Sequence, residues 1–245
     1  VLPIILFNLE RKWCSNISIM MSDIPIITID GLSSSGKSTI SVLLAKKLGW
    51  NLLDSGLLYR AIAYLTKLEK IPIDNKEQIG DLTKNFKLLI NKESHLYRVT
   101  YKNKDITDYL NSEIVGKNAS VVSKLPFIRD LLLPIQHSCI QEPGLIANGR
   151  DMGTKVFTNA TLKIFFTAEI NIRAKRRFKQ LIDQGEDVDF NSVLDSLKER
   201  DSADQNRSIS PLEPARDSKI IDSSELNIES VLDKIYELYT ISRVK

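Results

Sequence analysis

Cysteine and histidine are nearly missing from this chain. Its 245 residues include two cysteines, Cys14 and Cys139, and two histidines, His95 and His137. Two distant thiols make no disulfide framework, so a reducing, cytoplasmic setting is the default expectation. Structural zinc needs three or four Cys or His ligands at set spacings, and these residues offer none. An excess of one charge is lacking too. The chain carries 34 Lys and Arg against 31 Asp and Glu, a formal net charge of +3. That balance does not suit a polyanion-coating surface, and no basic stripe interleaved with aromatics points to nucleic-acid binding. No apolar run approaches the roughly 20 residues that span a bilayer. The apolar opening, residues 1–7, is short and follows no basic segment, so it does not read as a signal peptide.

What is present is an ordinary globular balance, 42% apolar and 27% charged. The length suits one α/β core with a small insertion. Residues 1–21 match nothing that follows and end in the paired Met20 and Met21, where translation is expected to start. They read as a non-native or disordered extension, and residues 22–245 as the functional domain. The apolar run from Ile24 to Asp30 has the length of a buried strand. A Gly- and Ser-rich turn follows, then a helix with Ile40, Leu43, Leu44 and Leu48 on one stripe, ended by Gly49. Asn51 to Asp54 reads as a second strand. This start belongs to an open parallel sheet.

The alternation of His95 to Tyr101, a turn at Lys102-Asn103-Lys104 and a strand from Asp105 to Thr107 suggest a small antiparallel sheet near residues 86–112. Leu145 to Asn148, Leu162 to Phe166 and Lys219 to Asp222 then read as buried strands. Ile170, Ala174, Phe178 and Leu181 mark one helix, and Ile228 to Tyr239 carries the clearest helical period.

Gly31-Leu32-Ser33-Ser34-Ser35-Gly36-Lys37-Ser38 fits G-x-x-x-x-G-K-[ST] completely. The glycines allow a tight turn whose successive N–H groups point into one anion-sized hollow, and the following helix adds its positive N-terminus. In this reading Gly31, Ser33, Ser34, Ser35, Gly36, Lys37, Ser38 and Thr39 hold the phosphates of a nucleoside triphosphate. Lys37 reaches the outer phosphates, and the Ser38 hydroxyl ligates Mg²⁺, the expected cofactor, through the nucleotide. A chance match in a Ser-rich turn is the bland alternative. The buried strand before the loop and the amphipathic helix after it supply the context the motif demands.

A phosphate loop alone does not separate a kinase from a switch or a motor. Transfer between two anions needs positive groups around the acceptor and the migrating phosphoryl. Arg60, Arg129, Arg150, Arg173, Arg176, Arg177, Arg200 and Arg207 are available. Lys175 and Lys179 fit an ordinary solvated helix face. Arg150 directly follows a buried strand, where ligand crevices open in α/β sheets. Its neighbour Asp151 could orient a metal-bound water, read a base, or merely cap a helix.

Taken together, the motifs resemble those of the bacterial cytidylate kinases, a branch of the P-loop nucleoside monophosphate kinases. The likeness runs from about Pro25 onward. It rests on Ile-Thr-Ile-Asp-Gly before the loop, Leu53-Asp54-Ser55-Gly56 with Tyr59-Arg60, and Asn148-Gly149-Arg150-Asp151-Met152-Gly153-Thr154. Lys163-Ile164-Phe165, Glu199-Arg200-Asp201 and Asn206-Arg207 with Pro211-Leu212 add to it. The resemblance implies ATP-dependent phosphorylation of CMP or dCMP by a monomer. It implies a parallel-sheet core flanked by helices, a CMP-binding insertion at about 75–120 with antiparallel strands, and a helical lid at about 170–187. It also implies that Arg60, Arg150 and Arg207 clamp the CMP phosphate and that Ser120, Arg129 and Asp151 read the cytosine. Asp204 and Arg200 hold the ribose, Ser55 and Tyr59 line the same pocket, and one or more of Arg173, Arg176 and Arg177 act on the moving phosphoryl, with Arg176 and Arg177 taken as the catalytic pair. Arg173, Arg176 and Arg177 are expected on the helix face opposite the apolar stripe.

The chain departs from the family pattern at Leu32, where a proline is usual, and at Leu110, Ala203 and Gln205, where arginines are common. The segment Leu133 to His137 also lacks arginines often found there, and Pro134 is placed to kink its helix. Two other kinds of protein share the loop: a kinase acting on UMP or another acceptor, and a nucleotide switch without transferase activity. The Ser120, Arg129 and Asp151 set disfavours the first, and no γ-phosphate-sensing switch loop or guanine-reading motif supports the second.

Overall fold

The computed structural model describes residues 24–91 and 93–243, so the expected extension at residues 1–21 lies outside it. Five parallel strands form the main sheet: β1 (Ile26–Gly31), β2 (Asn51–Asp54), β6 (Leu145–Gly149), β7 (Leu162–Thr167) and β8 (Lys219–Asp222). Their order is β2-β6-β1-β7-β8. β1 sits at the centre because helices cover both faces, and its residues after Ile26 are all buried. The strands beside it, β6 and β7, lie on opposite sides, so the crevice at the carboxyl end of β1 is the topological switch point. The phosphate loop leaves β1 there, and the loop carrying Arg150 leaves β6 next to it, with Asp30 in register with Gly149.

Eight helices complete the described residues: α1 (Lys37–Leu48), α2 (Ser55–Leu68), α3 (Lys76–Asn85), α4 (Glu113–Val122), α5 (Pro126–His137), α6 (Ile170–Asp183), α7 (Phe190–Gln205) and α8 (Ile228–Ser242). On one face of the sheet, Ile40 and Leu44 of α1 pack with Val231, Ile235 and Tyr239 of α8 against Ile27, Ile29 and Phe166. On the other, Leu58, Ile62 and Leu65 of α2 join Ile128 and Leu132 of α5. Burying each such aliphatic side chain contributes about 1.5–3 kcal/mol. Asp54 caps α2 by accepting from the Gly56 N–H, and Gly49 ends α1 in a left-handed conformation.

A three-stranded antiparallel sheet, β3 (Phe86–Ile90), β4 (Tyr97–Tyr101) and β5 (Lys104–Asp105), packs beside α2. Lys102 and Asn103 both have positive φ, as a two-residue hairpin turn requires. The third strand is shorter than its expected span to Thr107. Asp105 Oδ1 accepts from the Thr107 N–H, and the Thr107 hydroxyl accepts from the Val99 N–H. These side-chain bonds replace the ladder and turn the chain into a 3₁₀ segment. Leu110, standing where an arginine was expected, is completely buried there. Helix α5 continues through Pro134 to His137.

The apolar stripe of α6 finds its partner in α7, where Ala174, Leu181, Val193 and Leu197 form a separate small core. One expectation for this helix fails. Arg173 does not stand on the open face with Arg176 and Arg177; it is 4% exposed and faces inward. Its guanidinium donates to the Ala168 carbonyl, the Ser33 carbonyl and the Asp201 carboxylate. A fully bonded guanidinium tolerates burial, which an apolar period does not reveal.

Candidate active site

The phosphate loop is fixed on several sides. Gly31 has φ 146°, and a Cβ there would lie 2.1 Å from the Phe166 carbonyl oxygen, so no other residue fits. Gly36 has φ 94° and leads directly into α1. The Leu32 carbonyl accepts from Ser35 Oγ at 2.9 Å and from Lys37 Nζ at 3.0 Å. The Leu32 N–H donates to Phe166 at 3.3 Å, a bond that a proline could not make. The Ser35 carbonyl accepts from Arg176 Nη1 at 3.2 Å and from Ser223 Oγ at 2.6 Å. Ser34 is half-buried with φ 57°, while Ser38 and Thr39 face solvent at the helix start. Asn148 Nδ2, from the end of β6, donates to Ser38 Oγ at 3.2 Å.

Lys37 is 6% exposed, and burial pushes its ammonium well below the usual lysine range, with Arg150 and Arg200 acting in the same direction. A site that has gathered this much unneutralised positive charge favours a polyanionic ligand.

Beside the loop lies a second group of charges. Arg150 donates through Nε to Asp204 at 2.8 Å, through Nη2 to Ser33 Oγ at 2.7 Å and through Nη1 to its neighbour's carbonyl. Arg129 pairs with Asp151 and lies over the ring of Tyr59, 5.5 Å from its centroid. Both partners of this pair are almost wholly buried. Burial raises the Tyr59 phenol to about 12. Arg207 is the exception in the group: its Nε and Nη2 are buried without a hydrogen-bond partner among the described residues. Burial lowers its pKa, offset only in part by Asp204 and Asp151. Arg200 is exposed as a residue, yet the protein crowded around its guanidinium, and then Arg150, depress it to about 10. Burial alone would raise Asp204, but Arg150, Arg207 and Arg200 outweigh it and hold that carboxyl below its usual range.

The expected site residues thus fall into three sets. Ser55, Tyr59, Arg129, Arg150, Asp151, Arg200, Asp204 and Arg207 gather next to the loop. Arg60 stands at the edge, donating to the Leu110 carbonyl at 2.9 Å and to Ser112. With Asp54, Glu113 and Arg177 it lines a cleft of about 380 Å³. Arg177 reaches across this cleft to Glu113 at 2.8 Å. Ser120 is half-buried on α4, and no hydrogen bond joins its hydroxyl to Arg129 or Asp151; Arg129 is held instead by the Ser123 carbonyl. Ala203 lines a groove of about 750 Å³ with Lys124, Lys198 and Arg207, where a longer basic side chain would project.

Sequence reasoning gave no role to Asp30, Asn148, Asp201 or Ser223. Asp30 is buried and accepts from the Met152 and Gly153 N–H groups at 2.9 and 2.8 Å, fixing the loop that carries Arg150 and Asp151. Burial raises its carboxyl to about 6. A charged residue ending an otherwise apolar central strand was the available signal. Asn148 Oδ1 is also buried and unpartnered among the described residues. The oxygens of Ser38 and Asn148 are hard donors that suit Mg²⁺.

The chain is similar to known proteins over most of its length. The family model described as cytidylate kinase matches residues 27–241. A cytidylate kinase from Pseudomonas entomophila is 44% identical over 88% of this chain and 96% of its own length. Those from Pseudomonas aeruginosa and Azotobacter vinelandii are each 43% identical, covering 88% and 86% of this chain and 95% and 93% of theirs. With a matched loop, a matched core and relatives aligned nearly end to end, this chain belongs to the cytidylate kinase family.

Proposed function

We propose that the protein transfers the γ-phosphoryl group of ATP to CMP, and to dCMP, giving the nucleoside diphosphate and ADP. The observation that carries this reading is Arg207. Arg207 is half-buried, but its Nε and Nη2 lie out of reach of solvent with no partner among the described residues, which costs stability unless a ligand satisfies them, and beside Arg150 and Arg200 the fitting ligand is a phosphate. It lies next to the ATP loop, so donor and acceptor phosphates come together at the carboxyl edge of the sheet.

The fixed backbone of residues 31–38 receives the ATP phosphates, whose negative charge offsets the burial that depresses the Lys37 ammonium. Ser38 would be the protein oxygen on a Mg²⁺ ion carried by the nucleotide, which would supply further neutralisation of charge. Arg150, Arg207 and Arg60 orient the acceptor phosphate, Arg60 exchanging main-chain carbonyls for phosphate oxygens, while Arg200 and Asp204 hold the ribose. Arg129 and Asp151 present a donor and an acceptor to the cytosine edge, whose O2 accepts and whose exocyclic amine donates. Arg176 already touches the phosphate loop and is the better placed of the two lid arginines to meet the transferring phosphoryl. Positioning and charge account for such catalysis, with no covalent step on the protein. A monomer working on the cytoplasmic nucleotide pool belongs to the same proposal and rests on the family resemblance.

The test is a coupled ADP-release assay with ATP and Mg²⁺, offering CMP, dCMP, UMP, AMP and GMP in turn. Turnover with CMP and dCMP far above UMP is expected. Turnover centred on another acceptor would overturn the assignment of Arg129 and Asp151.

A further inference from the structure

Ser33 belongs to the phosphate loop, and its carbonyl and hydroxyl are held by two different arginines. Arg173 Nη1 donates to its carbonyl at 3.2 Å, and Arg150 Nη2 donates to its hydroxyl at 2.7 Å. Each arginine is paired in turn with a carboxylate of α7, Arg173 with Asp201 at 2.6 Å and Arg150 with Asp204 at 2.8 Å. Asp201 and Asp204 are three residues apart, hence neighbours on one helix face, and both are buried. The side chains therefore close a ring that runs from α7 through the donor loop and back. One arm ends on an arginine assigned above to the acceptor phosphate. The other touches no nucleotide in that assignment and only braces the loop.

Resting on the transferase reading above, we propose that Ser33 couples the two nucleotide subsites. Its hydroxyl serves Arg150 when the acceptor site is empty and is released when an acceptor phosphate takes the guanidinium. A phosphate dianion outcompetes a neutral hydroxyl for an arginine, because charge-assisted bonds are roughly twice as strong. Once freed, the Ser33 hydroxyl can turn to the donor phosphates. Both ligands then favour the same arrangement of the loop, so each tightens the other by the same factor, as linkage requires. Arg173, fixed by Asp201, holds the Ser33 carbonyl throughout, so the loop backbone stays in place while the hydroxyl changes partner.

The experiment is calorimetric titration of the full chain with a non-hydrolysable ATP analogue and Mg²⁺, with and without saturating CMP, and the reverse titration. The wild type should show mutual tightening of about fivefold or more, equal in both directions. In Ser33→Ala the factor should fall toward one, whatever happens to either separate affinity. Asp201→Asn loosens the carbonyl arm instead. It should weaken the ATP analogue to the same extent with and without CMP and leave the factor unchanged. Ser33→Thr, which keeps a hydroxyl, should keep the factor. A wild-type factor of one, or an unchanged factor in Ser33→Ala, would overturn the coupling role while leaving the transferase reading intact. A chain that binds no CMP would overturn both.

Discussion

The two halves of the site are built on opposite terms. On the donor side the loop carbonyls of Leu32, Ser33 and Ser35 are bonded by Lys37, Arg173, Arg176 and Ser223, as though the loop were part of the core. On the acceptor side Arg129 is held in a buried pair with Asp151, but the arginines assigned to the acceptor phosphate are engaged only provisionally. Arg60 rests on main-chain carbonyls, Arg150 on a hydroxyl and a carboxylate, and Arg207 has two donors unused. The first half is preorganised, and the second stores polar capacity that its ligand satisfies. For a transferase this division is sensible. A fixed cradle keeps the reacting phosphoryl in line, while adaptable arginines close around whichever acceptor fits.

The contrast breaks most visibly at Lys37. Lys37→Ala should lower kcat about 10³-fold or more, as loss of a preorganised charge at a phosphoryl centre does, and steady-state rates near wild type would contradict the donor assignment. Next in size is Arg173→Ala. It strands Asp201 in a buried setting and should cost about 3–5 kcal/mol in urea unfolding. A cost under 1 kcal/mol would show that the brace is ornamental.

Asp30 sharpens the same point through pH. Its folded pKa of about 6 lies above the ordinary 3.8, so between those values the folded state keeps a proton that the unfolded state has lost. The contribution is full below pH 3.8 and is lost as pH rises through about 6, a swing of roughly 3 kcal/mol at ~1.4 kcal/mol per unit. Asp30→Asn should remove that slope from the difference in unfolding midpoints. An identical slope in mutant and wild type would exclude the buried carboxylate as its source.

On the acceptor side, Asp151→Ala should raise KM for CMP by about 10–100-fold with KM for ATP little changed, the loss of one charge-assisted contact. Equal effects on both substrates would refute its role in reading the base. The smallest effect is expected at the mouth of the cleft. Breaking the half-exposed Arg177–Glu113 pair with Glu113→Gln should shift stability by less than about 1 kcal/mol in thermal melts.

The same contrast decided what the sequence revealed. The donor loop is contiguous, so its pattern, strand and helix could be read together from residues 24–48. The strands Asn51–Asp54 and Lys219–Asp222 appeared at their observed bounds because each is a short apolar run between polar turns, but Lys219–Asp222, expected to be buried, is an edge strand with only Ile221 buried. The antiparallel sheet was placed, yet Phe86–Ile90 was not singled out as a strand, since a brief apolar run has no period of its own to distinguish it from helix. The acceptor residues come from the loop after β6, from α2, α4 and α5, and from α7 and the turn that follows it, and only the family likeness gathered them in advance. Arg173 misled because an apolar stripe predicts where greasy side chains go, not where a guanidinium finds three partners. Asp30 and Asp201 went unassigned for a related reason. A carboxylate's value here depends on main-chain N–H groups or an arginine brought in from elsewhere in the fold.

Phosphorus NMR of the protein with ATP, Mg²⁺ and CMP tests the central claim most directly. The ATP γ signal should decline while signals of CDP and ADP grow in equal amounts, with little inorganic phosphate. Inorganic phosphate growing in place of CDP, or an unchanged spectrum, would contradict it.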